Sequence, residues 1–136
     1  MILVANTNRI VAALIKDSVS RRIIYSDKFI LLTPSFTKME LEEHKEELLR
    51  RTNLTETAFD SLLSLILNNL YVVDDSILKY KFNEAKKIMD KIDADDTPFI
   101  ALGLAIANDG IWSDDSHFQK QKMIKVWKTS DLIPYL

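Results

Sequence analysis

The 136-residue sequence has no cysteine and only two glycines and three prolines. Without cysteine the chain has neither disulfide bonds nor thiolate metal ligands, which is consistent with a cytoplasmic protein. With so few glycines and prolines, it shows no linker, no internal repeat and no glycine-rich loop that would cradle a phosphate. We therefore predict a single domain over residues 1–136.

Long apolar runs and a strong excess of one charge are also missing. No apolar run approaches the roughly 18 residues of a membrane span, and residues 1–5 lack the features of a secretion signal, so we expect no membrane association. The net charge of −2 argues against a broad surface for binding polyanions. A nucleic-acid substrate would have to be held by metal ions or by local basic clusters, such as the lysines near the C-terminus: Lys120, Lys122, Lys125 and Lys128.

Short apolar segments alternate with segments of helical periodicity along the chain. The predicted strands cover residues 1–5, 29–33, 70–73, 111–113 and 125–127. The predicted helices cover residues 10–16, 37–51, 55–66, 82–92 and 97–107, with Thr37 and Thr55 as candidate N-caps. This alternation predicts an α/β fold with a mainly parallel central sheet and helices on both faces.

Polar residues follow several predicted strands, and ligands of parallel sheets bind beyond the carboxyl ends of the strands. Asn6 and Asn8 follow the first strand, Glu40 lies after the second, and Asp114 and Asp115 follow the fourth. A further acidic group, residues 93–96, precedes the helix at 97–107. One carboxylate from each segment would suit a hard cation such as magnesium or manganese, and metal-assisted hydrolysis of a phosphodiester.

Each of these residues also has a purely structural explanation. Acids beside a helix start are more often caps than ligands, and Asp114 and Asp115 suit a turn. Glu40 is one of five acids between positions 40 and 47, so periodicity does not single it out. His117 is interpreted as a solvated or hydrogen-bonding residue rather than a catalyst.

In combination, four segments resemble the PIN-domain family. They are residues 2–8 (ILVANTN), 33–41 (TPSFTKMEL), 93–105 (DADDTPFIALGLA) and 111–118 (IWSDDSHF). The resemblance implies a three-layer α/β/α fold and a metal-dependent nuclease that cleaves RNA with Mg²⁺ or Mn²⁺. It also implies Glu40, Asp96 and Asp115 as catalytic residues and metal ligands.

The resemblance leaves part of the site open. Asp93 is the alternative to Asp96 as the third acid. The residues expected to support the metal ligands are Asn8, Ser113, Asp93 and Asp114. Stand-alone family members of this size include prokaryotic toxins held inactive by an antitoxin, so an RNA substrate and an antitoxin protein are the expected partners.

Asn6 departs from the family pattern, which has aspartate at this position. Asparagine offers a carbonyl oxygen but no charge, so we expect a weakened fourth metal ligand. Three explanations remain open for Asn6: an inactivating substitution, a degenerate natural member of the family, or a site that tolerates the amide. Asp17 lies too far along the next predicted helix to replace the missing acid. The alternative function is a non-catalytic PIN-like domain that binds nucleic acid or protein.

Two further alternatives concern signalling and assembly. A phosphoacceptor signalling domain would need an acidic pair after the first strand, and residues 6–8 supply none. Leu65 and Leu67 lie outside the main apolar stripe of their helix, which suits either a homodimer interface or ordinary core packing.

Overall fold

A computed structural model describes residues 1–16 and 18–136, and its centre is a parallel sheet. The strands are β1 (Ile2–Ala5), β2 (Ile30–Pro34), β3 (Tyr71–Val73), β4 (Gly110–Trp112) and β5 (Val126–Trp127). They lie in the order β3-β2-β1-β4-β5, and each neighbouring pair is parallel. Because β1 is central and the order reverses around it, the carboxyl ends of β1, β2 and β4 adjoin one another.

Helices connect these strands and cover the sheet. They are α1 (Thr7–Ile15), α2 (Val19–Tyr25), α3 (Phe36–Glu43), α4 (Lys45–Thr52), α5 (Glu56–Leu67), α6 (Asp75–Leu78), α7 (Phe82–Met89), α8 (Thr97–Ala105), α9 (Ser116–Gln119) and α10 (Thr129–Leu132). Single 3₁₀ turns span Lys79–Lys81, Ala94–Asp96 and Ile133–Tyr135. Within the two described ranges, no helix is long and apolar enough to cross a membrane.

Two hydrophobic cores lie on opposite faces of the sheet, since side chains alternate along a strand. On β1, Leu3 packs into a core with residues of α1, α2 and α5, including Ile10 and Phe59. Val4 packs into the other core with residues of α7 and α8, including Ile100. Each fully buried aliphatic or aromatic side chain stabilises such a core by roughly 1.5–3 kcal/mol. The predicted three-layer α/β/α fold with a parallel sheet is therefore confirmed.

The start of β4 depends on a glycine. Gly110 has φ of +139°, and a Cβ built there would lie 2.5 Å from the Lys125 carbonyl oxygen. A side chain is excluded both by the backbone conformation and by the closeness of the chain leading into β5. Gly110 therefore fixes the approach of these neighbouring strands.

Several local predictions were wrong in detail. The helix predicted over 10–16 begins at Thr7, directly after Asn6, and α2 was not predicted. The helix predicted over 37–51 is two helices, which meet at His44. Its predicted cap, Thr37, lies inside α3. The predicted cap of α5 is confirmed, because the Thr55 hydroxyl accepts a hydrogen bond from the Ala58 N–H. Asp17 lies outside the described residues.

Candidate metal centre

The candidate site lies where the carboxyl ends of β1, β2 and β4 meet the start of α8. Ala5 of β1 pairs with Trp112 of β4, so the residues that follow each strand are neighbours. Asn6 is the N-cap of α1, and its N–H donates to the Trp112 carbonyl oxygen at 3.4 Å. Strand register alone thus brings Asn6 beside the segment that carries Ser113 and Asp115.

Three carboxylates converge on one histidine nitrogen in this region. Nδ1 of His117 lies 3.1 Å from Asp93, 3.5 Å from Asp96 and 3.3 Å from Asp115. One ligand atom each from Asp93, Asp96 and His117 lies within 4.8 Å of the others. These spacings allow the side chains to share one cation. The two candidates for the third acid, Asp93 and Asp96, are therefore both present in the cluster.

Local turns hold these side chains in place. The carboxylate of Asp93 accepts a hydrogen bond from the Asp95 N–H and caps the 3₁₀ turn before α8. The carboxylate of Asp115 likewise accepts from the His117 N–H and caps α9. The Ser113 hydroxyl in turn accepts from the Asp115 N–H at 3.0 Å. The capping role expected for such acids and a place in the acidic cluster therefore coincide in the same residues.

Glu40 reaches the site through a chain of threonine hydroxyls. Thr33 of β2 donates to the Ala5 carbonyl oxygen at 3.1 Å and shares a 2.8 Å hydrogen bond with Thr37. Thr37 contacts the Thr7 hydroxyl at 3.2 Å, and Thr7 donates to the Glu40 carboxylate at 2.6 Å. This chain links β1, β2, α1 and α3, and it fixes the orientation of the Glu40 carboxylate.

Burial and mutual repulsion make this site unfavourable for negative charge. Burial, followed by the charges of Asp93 and Asp115, raises the pKa of Asp96 from its usual 3.8 to about 7, although His117 acts in the opposite direction. Burial also raises the pKa of Glu40, while the hydrogen bond from Thr7 opposes the shift. Like charges crowded in a partly desolvated site disfavour ionisation, whereas a bound cation would favour it.

Buried polar atoms test whether the site suits a cation. Asn6 is 3% exposed, and its Oδ1 has no hydrogen-bond partner among the described residues. The same holds, over residues 1–16 and 18–136, for Asp96 Oδ2 and His117 Nδ1. Although these last two atoms are 3.5 Å apart, they are not aligned for a hydrogen bond with each other. Buried polar atoms without partners are costly, and oxygen and imidazole donors suit a divalent ion, so the residues fit one.

Two predicted supporting residues lie outside the carboxylate cluster. Asp114 forms an ion pair with Arg9 at 2.6 Å, and its carboxylate also accepts hydrogen bonds from the N–H and hydroxyl of Thr129. It therefore anchors the start of α10 to α1. Asn8 is exposed and lines shallow cavities beside Glu40 and Asp115.

His117, interpreted from the sequence as a solvated or hydrogen-bonding residue, lies inside the acidic cluster and was not among the predicted ligands. It is the second residue of α9, after the capping Asp115, so a capped turn directs it back towards the acid that precedes it. Its spacing of two residues from Asp115 was the available signal. Its proximity to Asp93 and Asp96 depends on how α8 packs against the sheet.

The described residues thus form a parallel α/β/α fold with an acidic group suited to a metal at the strand ends. Residues 4–136 match the family model described as PIN domain, and the chain belongs to this family. A search of curated proteins gives no significant match. Family membership supports a nuclease-type domain with a divalent metal, and it leaves no support for a phosphoacceptor signalling domain.

Proposed function

We propose that the protein is a Mg²⁺- or Mn²⁺-dependent ribonuclease that hydrolyses RNA phosphodiester bonds. The observation that carries the proposal is the convergence of three carboxylates on His117 Nδ1, at 3.1 to 3.5 Å, beside the buried and unpartnered Asp96 Oδ2. Such a donor set, at the carboxyl edge of a parallel sheet in a PIN domain, suits metal-assisted hydrolysis.

The side chains of the proposed site have two roles, binding the metal ion and orienting its ligands. Asp93, Asp96, Asp115 and His117 would hold the ion from one side, and Glu40 from the side of α3. When bound, a divalent ion activates water as the nucleophile and stabilises the charge that develops on the phosphate. The threonine chain that ends at Glu40 keeps this carboxylate oriented, which limits the reorganisation needed when substrate binds.

Asn6 supports a second candidate, a non-catalytic PIN-like domain that binds nucleic acid or protein. Its buried amide supplies an oxygen but no charge at a position where the family pattern has aspartate. Fewer charged ligands weaken divalent-metal binding. The domain would then keep its fold and its binding surface but turn over slowly or not at all.

A manganese titration combined with an RNA cleavage assay separates the two candidates. Calorimetry would measure Mn²⁺ binding to the protein and to Asn6→Asp, and a labelled RNA would report cleavage. We expect Asn6→Asp to tighten Mn²⁺ binding by about tenfold or more, because it adds a charged ligand, and to raise cleavage. Glu40→Gln is the matched loss-of-function control.

The outcomes of this experiment decide the proposal. Cleavage by the unmodified protein supports an active nuclease, and cleavage only after Asn6→Asp supports the non-catalytic alternative for the native chain. If Asn6→Asp binds no manganese and cuts no RNA, the nuclease proposal is wrong.

The expected partners are part of the same proposal. We propose a toxin-like ribonuclease held inactive by an antitoxin protein, as in stand-alone prokaryotic proteins with a PIN domain. Leu65 is 57% exposed on α5 and is available for a homodimer, whereas Leu67 packs against the first core. Light scattering would test the dimer, and a monomeric mass would exclude it.

The C-terminal lysines offer a proposed contact for RNA. All four lysines of the cluster are exposed: Lys120, Lys122, Lys125 and Lys128. The ammonium group of Lys125 lies 3.8 Å from the centroid of the Trp127 ring, which holds it against β5.

A further inference from the structure

A cavity of about 520 Å³ adjoins the candidate metal centre and plays no part in the proposed chemistry. Its volume lies within the range of sites for small molecules, roughly 300–1,000 Å³. Apolar and aromatic side chains form much of its wall, and a few polar groups join them. Its lining includes Phe36, Phe82, Pro98, Asp75, Asp95 and Lys79.

The cavity and the acidic cluster share elements of the fold. Phe36 and Glu40 are separated by one turn of α3, which places their Cβ atoms roughly 5–6 Å apart on one face. On the opposite side, Asp95 lines the cavity while the adjacent Asp96 belongs to the cluster. A polymer bound at the acids would therefore bring its neighbouring unit to this cavity.

Aromatic rings give the cavity a surface suited to stacking. Phe36 packs edge-to-face on Phe99, with ring centroids 6.3 Å apart, and Phe99 packs in the same manner on Phe118. These edge-to-face contacts with two buried rings fix the partly buried Phe36 ring. Phe82, at the start of α7, is 38% exposed. Rigid, partly exposed aromatic rings are the usual platforms for unpaired bases of single strands.

Polar groups of the cavity determine which base edge fits. Asp75 and Asp95 are exposed carboxylates, which act only as acceptors when ionised. The Ser35 hydroxyl donates to Asp75 Oδ1 at 2.9 Å and orients this carboxylate. Guanine presents two adjacent N–H donors on its Watson–Crick edge, whereas uracil presents one donor between two acceptors. The ammonium group of Lys79 suits a phosphate of the strand.

We propose that this cavity binds an unpaired nucleobase of the RNA, next to the phosphate held at the metal centre, and that guanine is preferred to uracil. This inference rests on the proposed ribonuclease function, because that function brings an RNA strand to the acids. It adds a specificity site to the chain, formed by α3, α6, α7, the start of α8 and the 3₁₀ turns Lys79–Lys81 and Ala94–Asp96.

Nucleoside binding tests the cavity separately from the metal centre, because guanosine and uridine carry no phosphate. Amide NMR spectra of the full chain would be recorded during titration with each nucleoside. We expect guanosine to shift resonances of residues 75–82 and 94–98 saturably, with an affinity at least about fivefold above that of uridine. Phe82→Ala should weaken guanosine binding at least about fivefold, the lower end for loss of one stacked base.

Two further variants make the test specific. Asp75→Asn keeps an acceptor for Ser35 and should reduce guanosine binding while leaving uridine binding unchanged. Tyr71→Ala removes another exposed aromatic ring, on β3 and outside this cavity, and should change neither. Thermal melting of each variant would establish that it is folded.

The possible results separate this proposal from the ribonuclease itself. If guanosine causes no shifts, or if its affinity is the same in Phe82→Ala, the base site is wrong, even where RNA is cleaved. If guanosine binds as expected but neither the protein nor Asn6→Asp cuts RNA, the base site stands and the ribonuclease proposal fails. A capped Leu-Arg dipeptide offers an apolar side chain for the aromatic wall and a cation for Asp75 and Asp95. Shifts with this dipeptide, but with neither nucleoside, would identify a protein-binding site and overturn the inference.

Discussion

Replacing Asp96 with asparagine should stabilise the metal-free protein at alkaline pH while removing its response to metal. The difference between a pKa of about 7 and the usual 3.8, at about 1.4 kcal/mol per pKa unit, corresponds to at most about 4 kcal/mol, because solvent screens this partly exposed carboxyl. Because the folded protein holds the Asp96 proton more tightly than the unfolded chain does, the stability due to this proton is complete below about pH 4. It is lost as the pH rises towards 7. Asparagine has no proton to lose.

Urea denaturation in EDTA at pH 5 and pH 8 would measure this effect. We expect Asp96→Asn to raise the free energy of unfolding at pH 8 by up to about 4 kcal/mol. At pH 5 the gain should be less than half as large, because Asp96 is still protonated in the folded protein but already ionised in the unfolded chain. Addition of Mn²⁺ at about one hundred times its dissociation constant should stabilise the unmodified protein by about 2.7 kcal/mol. The variant should gain little.

Asp114→Asn is the matched control, since this neighbouring aspartate is paired with Arg9 and Thr129 instead of facing other acids. It should destabilise the protein by about 1–3 kcal/mol at pH 8. If Asp96→Asn destabilises the metal-free protein at pH 8, or has the same effect at both pH values, the electrostatic description of the site is wrong.

Three other substitutions test separate parts of the structure. Thr37→Val interrupts the chain of hydroxyls that leads to Glu40, so urea denaturation should show that the free energy of unfolding falls by about 1–2 kcal/mol. An unchanged free energy of unfolding would contradict the network. His117→Ala removes a nitrogen ligand, so calorimetry should show Mn²⁺ affinity falling about tenfold or more and Mg²⁺ affinity falling less; equal losses would argue against direct ligation. Gly110→Ala forces a side chain against the Lys125 carbonyl oxygen. Thermal melting should show that the free energy of unfolding falls by at least about 2 kcal/mol, and a melting temperature equal to that of the unmodified protein would refute the predicted strain.

The sequence was sufficient to predict the fold class and the edge of the sheet that carries the site. Apolar runs such as residues 1–5 are too short for helices, and they lack the alternation of apolar and polar residues that marks a strand with one solvent-exposed face. Such runs are typical of a parallel sheet that is covered on both sides. The polar residues that follow β1, β2 and β4 then had to lie at one edge. Local helix boundaries were predicted less well: a break such as that at His44 leaves no proline or glycine in the sequence.

Only the tertiary structure decided how the individual polar residues are used. Asp114 and Asp115 are adjacent and chemically identical, yet one pairs with Arg9, 105 positions away, and the other faces Asp93, Asp96 and His117. Likewise, Glu40 is distinguished from the acids around it by Thr7, 33 positions earlier. These choices depend on contacts between distant segments, and a local pattern of residues carries no information about which distant partner each carboxylate meets. The acidic segments were therefore visible in the sequence, while the assembly of the site required the packed sheet and its helices.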